Sequence, residues 1–323
     1  MHETRLSLVA PSRDLENLIE KTKAYIRGAK APATLLAYRS DFQDFTRFCR
    51  EHNLSSLPST PETVALYITD CASRLASGTI TRRLTSITKA HQSAGSKDSP
   101  ASTNHFVVSE TLKGVRRAIG TAQHGKKPLL TADIQRIIAH CPKSLRGTRD
   151  RALVLIGFAG TFRRSELAAI KVSDVSYSKN GLVIDLRRSK TDQQAHGRQV
   201  GIPFGGDAGT CPVRAVRRWL KESQIKSGPL FRAINRHGHI GPRGLNRASV
   251  DWILKRAAQR AGMKTRPLGG HSLRAGCVTQ AAMNGDNEWD IMRQTGHKSA
   301  QTLASYVRIG QMFTHNAAAS LGT

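Results

Sequence analysis

The chain has 323 residues, 39% of them hydrophobic and 5% aromatic, a length that suits two domains better than one small core. That apolar share excludes a chain unable to fold, and the few aromatics fit helical packing built on Leu, Ile, Ala and Val. Lysine and arginine number 50 against 23 acids, a net charge of +27; solubility asks for only about 2–8 in a small domain, so a polyanionic partner is implied, most often nucleic acid.

Helices are predicted first. Over residues 34–52, Leu35, Tyr38, Phe42, Phe45 and Phe48 recur at helical spacing. Thr60-Pro61-Glu62 opens the next helix, with Pro at its first position and Val64, Ile68, Cys71 and Leu75 on one stripe. A third covers about 79–93 through Ile80, Leu84 and Ile87, with Arg82, Arg83 and Lys89 on its other face. Residues 95–100 break it, and 109–119 are helical again. Residues 120–127, rich in Gly and basic side chains with no apolar period, form the expected linker. The expected domains are therefore 1–124, an all-α bundle, and 125–323.

In the second domain, Thr131 is expected to cap a helix with Ile134, Ile137, Ile138 and Cys141 on one face. A more apolar helix follows over about 148–160. Short β-type runs come next, 172–177, then 182–186 after the turn signal Asn180-Gly181, then 199–203. From Pro212 onward the pattern is helical to the end. The expected fold class is an all-α N-terminal bundle plus a mixed α/β domain, mostly α with a small antiparallel sheet.

The charge is uneven, net +7 over residues 1–126 and net +20 over 127–323. Cys49, Cys71, Cys141, Cys211 and Cys277 are odd in number and include no C-x-x-C pair, which excludes the common zinc spacings and a disulfide framework. A reducing, cytoplasmic setting fits best. No long apolar leader and no run of membrane-spanning length is present, so no membrane association is expected.

Four separated signals follow in the second half. In Gly160-Thr161-Phe162-Arg163-Arg164-Ser165-Glu166 an arginine ends an apolar helix before a Ser-Glu helix start; alone, this reads as a capped helix break with a solvated Arg. Lys190, in Arg187-Arg188-Ser189-Lys190-Thr191, falls in the loop joining the second and third strands, where a lysine is ordinarily just solvated. His271-Ser272-Leu273-Arg274 follows Gly269-Gly270. If a helix starts there, imidazole and guanidinium share a face, and cations at a helix start suggest that an anion belongs nearby. Gly296-His297 is followed by Tyr306 on a terminal helix, where a tyrosine more often packs than reacts.

Arg, Lys, His-x-x-Arg, Gly-His and Tyr, in that order, resemble the active-site boxes of the tyrosine recombinase (phage integrase) family. The resemblance runs over about residues 34–308. Simple Cre-like and Xer-like two-domain members are the most similar in layout, because only about 30 residues precede the first matching helix, too few for the arm-site domain of lambda-type integrases. The chemistry explains the residue types. A phenol, with an ordinary pKa near ~10, must attack a phosphodiester, and permanently charged bidentate arginines suit the extra charge on its non-bridging oxygens.

The resemblance implies a role for each residue. Tyr306 would be the nucleophile, Arg163 and Arg274 the phosphate clamp, and Lys190 the proton donor to the departing 5′-oxygen. His271 and His297 would add hydrogen bonds or move protons, and Glu166 would orient the Arg or His partners. Arg164 directly follows Arg163, so either could be the clamp; the family spacing of Arg, two residues, then Glu selects Arg163. Ala275 follows Arg274 where many members carry another histidine. Also implied are a core-binding (SAM-like) DNA-binding domain over 1–124 and a catalytic domain over 125–323. They would close around double-stranded DNA, a dimer on each inverted-repeat site and a homotetramer across two, for integration, excision or resolution through a Holliday junction. No metal, ATP or other cofactor is expected. Arg82, Arg83, Lys89, Arg243, Arg247 and Lys255 are candidate DNA contacts. Two rivals are a type IB-like topoisomerase, which religates the same strand, and a DNA-binding protein without catalysis.

Overall fold

The computed structural model describes residues 13–95, 104–122, 125–187, 197–297, 299–301, 303, 304 and 306, and for Arg27 the backbone alone. The chain divides into two compact units, Met1–His124 and Gly125–Thr323.

The first unit holds α1 (Arg13–Gly28), α2 (Pro32–Glu51), α3 (Pro61–Ala72), α4 (Ser77–Ser93) and α5 (Phe106–Ile119). Its core joins Phe45 and Phe48 of α2 to Val64, Tyr67 and Ile68 of α3 and to Ile80, Leu84 and Ile87 of α4. Thr60 caps α3 by accepting from Thr63 N at 3.2 Å. Helix α1 has no counterpart in the sequence reading. Its Leu15, Leu18, Ile19, Tyr25 and Ile26 are exposed, so no buried face reports it.

The second unit begins with α6 (Thr131–Ala139), α7 (Leu145–Ala159) and α8 (Arg164–Ala169). Thr131 is the first residue of α6 rather than its cap; Asp133 instead turns back to accept from Leu130 N at 3.0 Å. The expected first strand is half a 3-10 turn (Val172–Asp174) and half β1 (Val175–Tyr177). An antiparallel sheet in the order β1, β2 (Gly181–Leu186), β3 (Arg198–Pro203) follows, with Val175 opposite Ile184 and Leu186 opposite Arg198.

After α9 (Pro212–Ser223) the chain departs from the expected all-helical pattern. It forms a second hairpin, β4 (Arg232–Ile234) and β5 (Ile240–Gly244). Its turn is made by Asn235, whose side-chain oxygen accepts from His237 N at 2.9 Å and His239 N at 3.0 Å. These strands are too short for period-2 alternation to register. Then come α10 (Arg247–Arg260), α11 (Gly270–Met283) and α12 (Glu288–Thr295).

Helix α7 is the spine of this unit, its Leu153, Val154 and Ile156 fully buried. Each such side chain contributes about 1.5–3 kcal/mol when taken from water. Helix α11 lies so close to the segment entering α6 that a Cβ on Gly276 would stand 1.8 Å from the Leu129 carbonyl oxygen. Leu129 N also donates to Ser272 O at 3.1 Å. That contact fixes the N-terminal turn of α11, which carries His271 and Arg274.

Candidate active site

Arg163 stands where α7 gives way to α8. Glu166 grips it twice, accepting from its backbone N at 2.9 Å and from Nη1 at 2.7 Å. The Glu166 side chain is only 2% exposed, a buried carboxylate held by the arginine it orients. Arg164 turns elsewhere, pairing its Nη1 with Asp251 of α10. Asp251 also accepts from Gly270 N, the first residue of α11. A carboxylate thus occupies the positive end of the helix that opens with His271 and Arg274.

Arg274 is almost wholly buried. Its Nη1 donates to the Thr161 carbonyl at 2.7 Å, and its Nη2 meets His297 Nε2 at 2.9 Å. Thr161 has a left-handed φ of 51°, uncommon for a β-branched residue. Its hydroxyl donates to the Gln294 carbonyl at 3.1 Å. Burial, then repulsion from Arg163, pushes the Arg274 guanidinium down to about 10, with Glu166 opposing. It therefore remains charged at neutral pH.

Arginine has only donors, so His297 Nε2 must accept from Arg274. Its Nδ1 then carries the proton and donates to Thr295 Oγ1 at 2.9 Å, which in turn faces the Met292 carbonyl at 3.3 Å. The network fixes a neutral His297. Its pKa agrees: burial first, then Arg274, Arg163, His271 and Arg198, lower it to about 4.

The Tyr306 hydroxyl lies 3.1 Å from His271 Nε2. Its ring packs against the cluster of Val278 and Ala282 from α11, Ile291 from α12, and Leu303. The helix that carries His271 thus also seats the phenol. Two arginines, two histidines, one buried carboxylate and a tyrosine form a single polar site; Lys190 lies outside the described residues, between β2 and β3.

Residues 127–311 match the phage integrase family. The chain belongs to this family. It is 38% identical to an integrase/recombinase xerD homolog of Selenomonas ruminantium over 94% of this chain and 89% of that protein. It is 23% identical to the recombinase cre of Escherichia phage P1 over 82% and 81% of the two chains. The fold is similar to that of the Tn1549 transposon integrase in complex with transposon right end DNA (TM-score 0.63, 15% identity, 88% and 92% of the two chains). It is also similar to XerH site-specific recombinase in a post-cleavage complex (TM-score 0.59, 19% identity, 82% and 73% of the two chains). The chain is a tyrosine-type site-specific recombinase, and nothing among these relatives favours a topoisomerase.

In the recombinase's first unit, the expected DNA-facing residues divide. Arg82 is exposed but reaches Asp41 at 2.5 Å. Arg83 is drawn inward, its Nη1 paired with Asp44 and donating to Tyr67 Oη at 2.7 Å. Lys89 is exposed, its Nζ donating to Gln92 Oε1 one helical turn on at 2.7 Å. In the second unit Arg243 on β5 and Arg247 and Lys255 on α10 are all exposed.

Sequence reasoning missed Arg198, Thr161, Gln294, Thr295 and Asp251. Arg198 gave no signal beyond being a basic residue at a strand start. Its partners lie almost a hundred residues further along the chain. Among the described residues, no group of three or more His, Cys, Asp or Glu is placed to hold a metal ion, and no helix is long and apolar enough to cross a membrane.

Proposed function

We propose that this recombinase cuts double-stranded DNA through Tyr306 and rejoins it to a different strand by way of a Holliday junction. The phenol oxygen attacks the scissile phosphorus as the bond to the 5′-oxygen breaks. A 3′-phosphotyrosyl link and a free 5′-hydroxyl result, and a 5′-hydroxyl from the partner strand reverses the step. The covalent link keeps the energy of the phosphodiester, so no ATP is consumed.

The observation that carries this reading is the 3.1 Å contact between Tyr306 Oη and His271 Nε2, beside two half-buried or buried arginines. His271 takes the phenolic proton. Arg163 and Arg274 bind the non-bridging oxygens, where preorganised charge in a partly dry site is most effective. His297, accepting from Arg274 Nη2, holds that guanidinium toward the same oxygens, Glu166 holds Arg163 in place, and Lys190 protonates the leaving 5′-oxygen. No metal or other cofactor has a part in these steps.

Residues 1–124 form the core-binding half of a DNA clamp and 125–323 the catalytic half, with one dimer on each inverted-repeat site and a homotetramer at synapsis. Lys89, Arg243, Arg247 and Lys255 are exposed and carry the phosphate or groove contacts, with Arg82 in a supporting place. Arg83 is left out, because its charge is spent on Asp44. The cytoplasm, where the DNA lies, is the place of action.

The test is adduct trapping on a nicked site, with the modified peptide identified by mass spectrometry. The expected product is a 3′-phosphotyrosine at Tyr306 that Tyr306→Phe abolishes without loss of DNA binding. An adduct that persists in the Phe variant moves the nucleophile elsewhere. Binding with no adduct in the parental protein would favour a non-catalytic DNA-binding role.

A further inference from the structure

Arg198 begins β3, and its guanidinium reaches the turn that leads from α12 to His297. Its Nη1 donates to the Gln294 backbone carbonyl at 2.9 Å, the same oxygen that accepts from the Thr161 hydroxyl. Its Nη2 is buried and has no hydrogen-bond partner among the described residues. Gly296, with φ 67°, turns the chain directly over it: a Cβ there would stand 3.0 Å from Arg198 Nε and 3.1 Å from Cζ. His297 is the next residue.

We propose that Arg198 is a positioning residue of the recombinase. It holds the Gln294–Gly296 turn in register with β3, and so sets the place of His297. The inference rests on the reading of His297 as part of the phosphate-binding site. Three guanidiniums, Arg163, Arg198 and Arg274, gather near one buried carboxylate, Glu166. Burial holds Arg198 below its ordinary value, with Glu166 opposing and Arg163 adding to the effect. An unpaired buried Nη2 is costly unless the charge serves something. Here a fixed cation beside the imidazole discourages its protonation. The other groups facing His297 are Arg274 and His271 from α11, Arg163 at the start of α8, and the Thr295 hydroxyl of α12. Arg198 links the histidine turn to the sheet, beside the bond from Gln294 Nε2 to the Gly201 carbonyl of β3 at 3.2 Å.

The experiment uses the full chain with Arg198→Gln, Arg198→Met and Arg198→Lys, each checked for parental DNA affinity and thermal melting. Single-turnover adduct formation and the NMR titration of the His297 imidazole are read together, with His297→Gln assigning the resonance. The neutral variants should cleave at least about tenfold more slowly, with the His297 midpoint moved upward, since a repelling charge is gone. Arg198→Lys should keep the midpoint near the parental one but cleave several-fold more slowly, because the compact ammonium does not place a donor where the planar guanidinium holds Nη1 against the Gln294 carbonyl. A folded neutral variant with parental cleavage and an unmoved midpoint overturns the proposal. So does an Arg198→Lys protein at full rate beside neutral variants that fail to fold, because Arg198 would then serve folding alone. A parental protein whose adduct survives Tyr306→Phe would instead defeat the site assignment itself, an outcome read separately.

Discussion

His271 Nε2 and Tyr306 Oη stand 3.1 Å apart although 35 residues separate them in the chain. The contact exists because α11 presents His271 from its first turn and packs Val278 and Ala282 under the tyrosine ring. Acid–base groups placed this way typically contribute about 10²–10⁴ in rate. His271→Gln should lose cleavage on that scale while its affinity for the site stays near parental, as read by single-turnover adduct formation beside a gel-shift titration. Undiminished cleavage would pass the role of base to another group.

Arg163→Ala should be far more damaging to cleavage than Arg164→Ala. Losing one donor to a transition-state oxyanion costs about 10²–10³ in rate. Arg164 spends its guanidinium on Asp251 and is half exposed, an ion pair of a kind worth about 0–1 kcal/mol of stability. Its removal should cost a few degrees of melting temperature at most. The reverse order in cleavage rates would mean that the wrong arginine has been assigned to the phosphate.

His297 ties stability to pH in a stated direction. Its folded pKa of about 4 lies below the ordinary value of 6.5, so between those two values the unfolded chain binds a proton that the folded chain refuses. Stability therefore falls as pH drops through that window and levels off below it. His297→Gln should flatten this part of the curve in thermal melts run from pH 7 to pH 4. A melting profile identical to the parental one over that range would show that the imidazole is not held neutral.

Lys190→Ala should bind DNA nearly as well as the parental protein yet cleave slowly, because an alkoxide leaves poorly without a proton. Replacing the bridging 5′-oxygen by sulfur gives a thiolate leaving group that needs little protonation. Most of the lost rate should return on that substrate, whereas Arg163→Ala should gain nothing from it. If sulfur rescues neither variant, Lys190 is a phosphate contact, and His271 or His297 becomes the candidate acid.

Gly276→Ala sets two effects against each other. Alanine favours a helix interior by up to about 1 kcal/mol over glycine. The new Cβ, however, would meet the Leu129 carbonyl oxygen at 1.8 Å, and overpacking against unyielding neighbours costs about 1–3 kcal/mol or more. Destabilisation should win, with a lower denaturation midpoint and a slower cleavage rate as the first turn of α11 shifts. A variant as stable as the parent would show that the Leu129 segment moves aside freely.

The sequence alone pointed to the chemistry proposed. Arg163, Lys190, His271, Arg274, His297 and Tyr306 appear in chain order as the residue types of the family's active-site boxes, and side-chain chemistry is a property of the residue itself. Apolar periodicity also disclosed the helices that bury a face, α2 to α5 and α7 among them, because packing at 3.6-residue spacing leaves its mark on composition. It missed α1, whose apolar residues stay exposed, and the β4–β5 hairpin, whose strands are too short to show a period. Only the tertiary structure decided which tautomer His297 adopts, that Arg164 pairs with Asp251, and that Arg198 lies against the Gln294–Gly296 turn. Those answers depend on partners 23 residues away for His297 with Arg274, 87 for Arg164 with Asp251 and 96 for Arg198 with Gln294. Hydrogen-bond direction and local charge are properties of neighbours in space, and no local pattern in the chain encodes them.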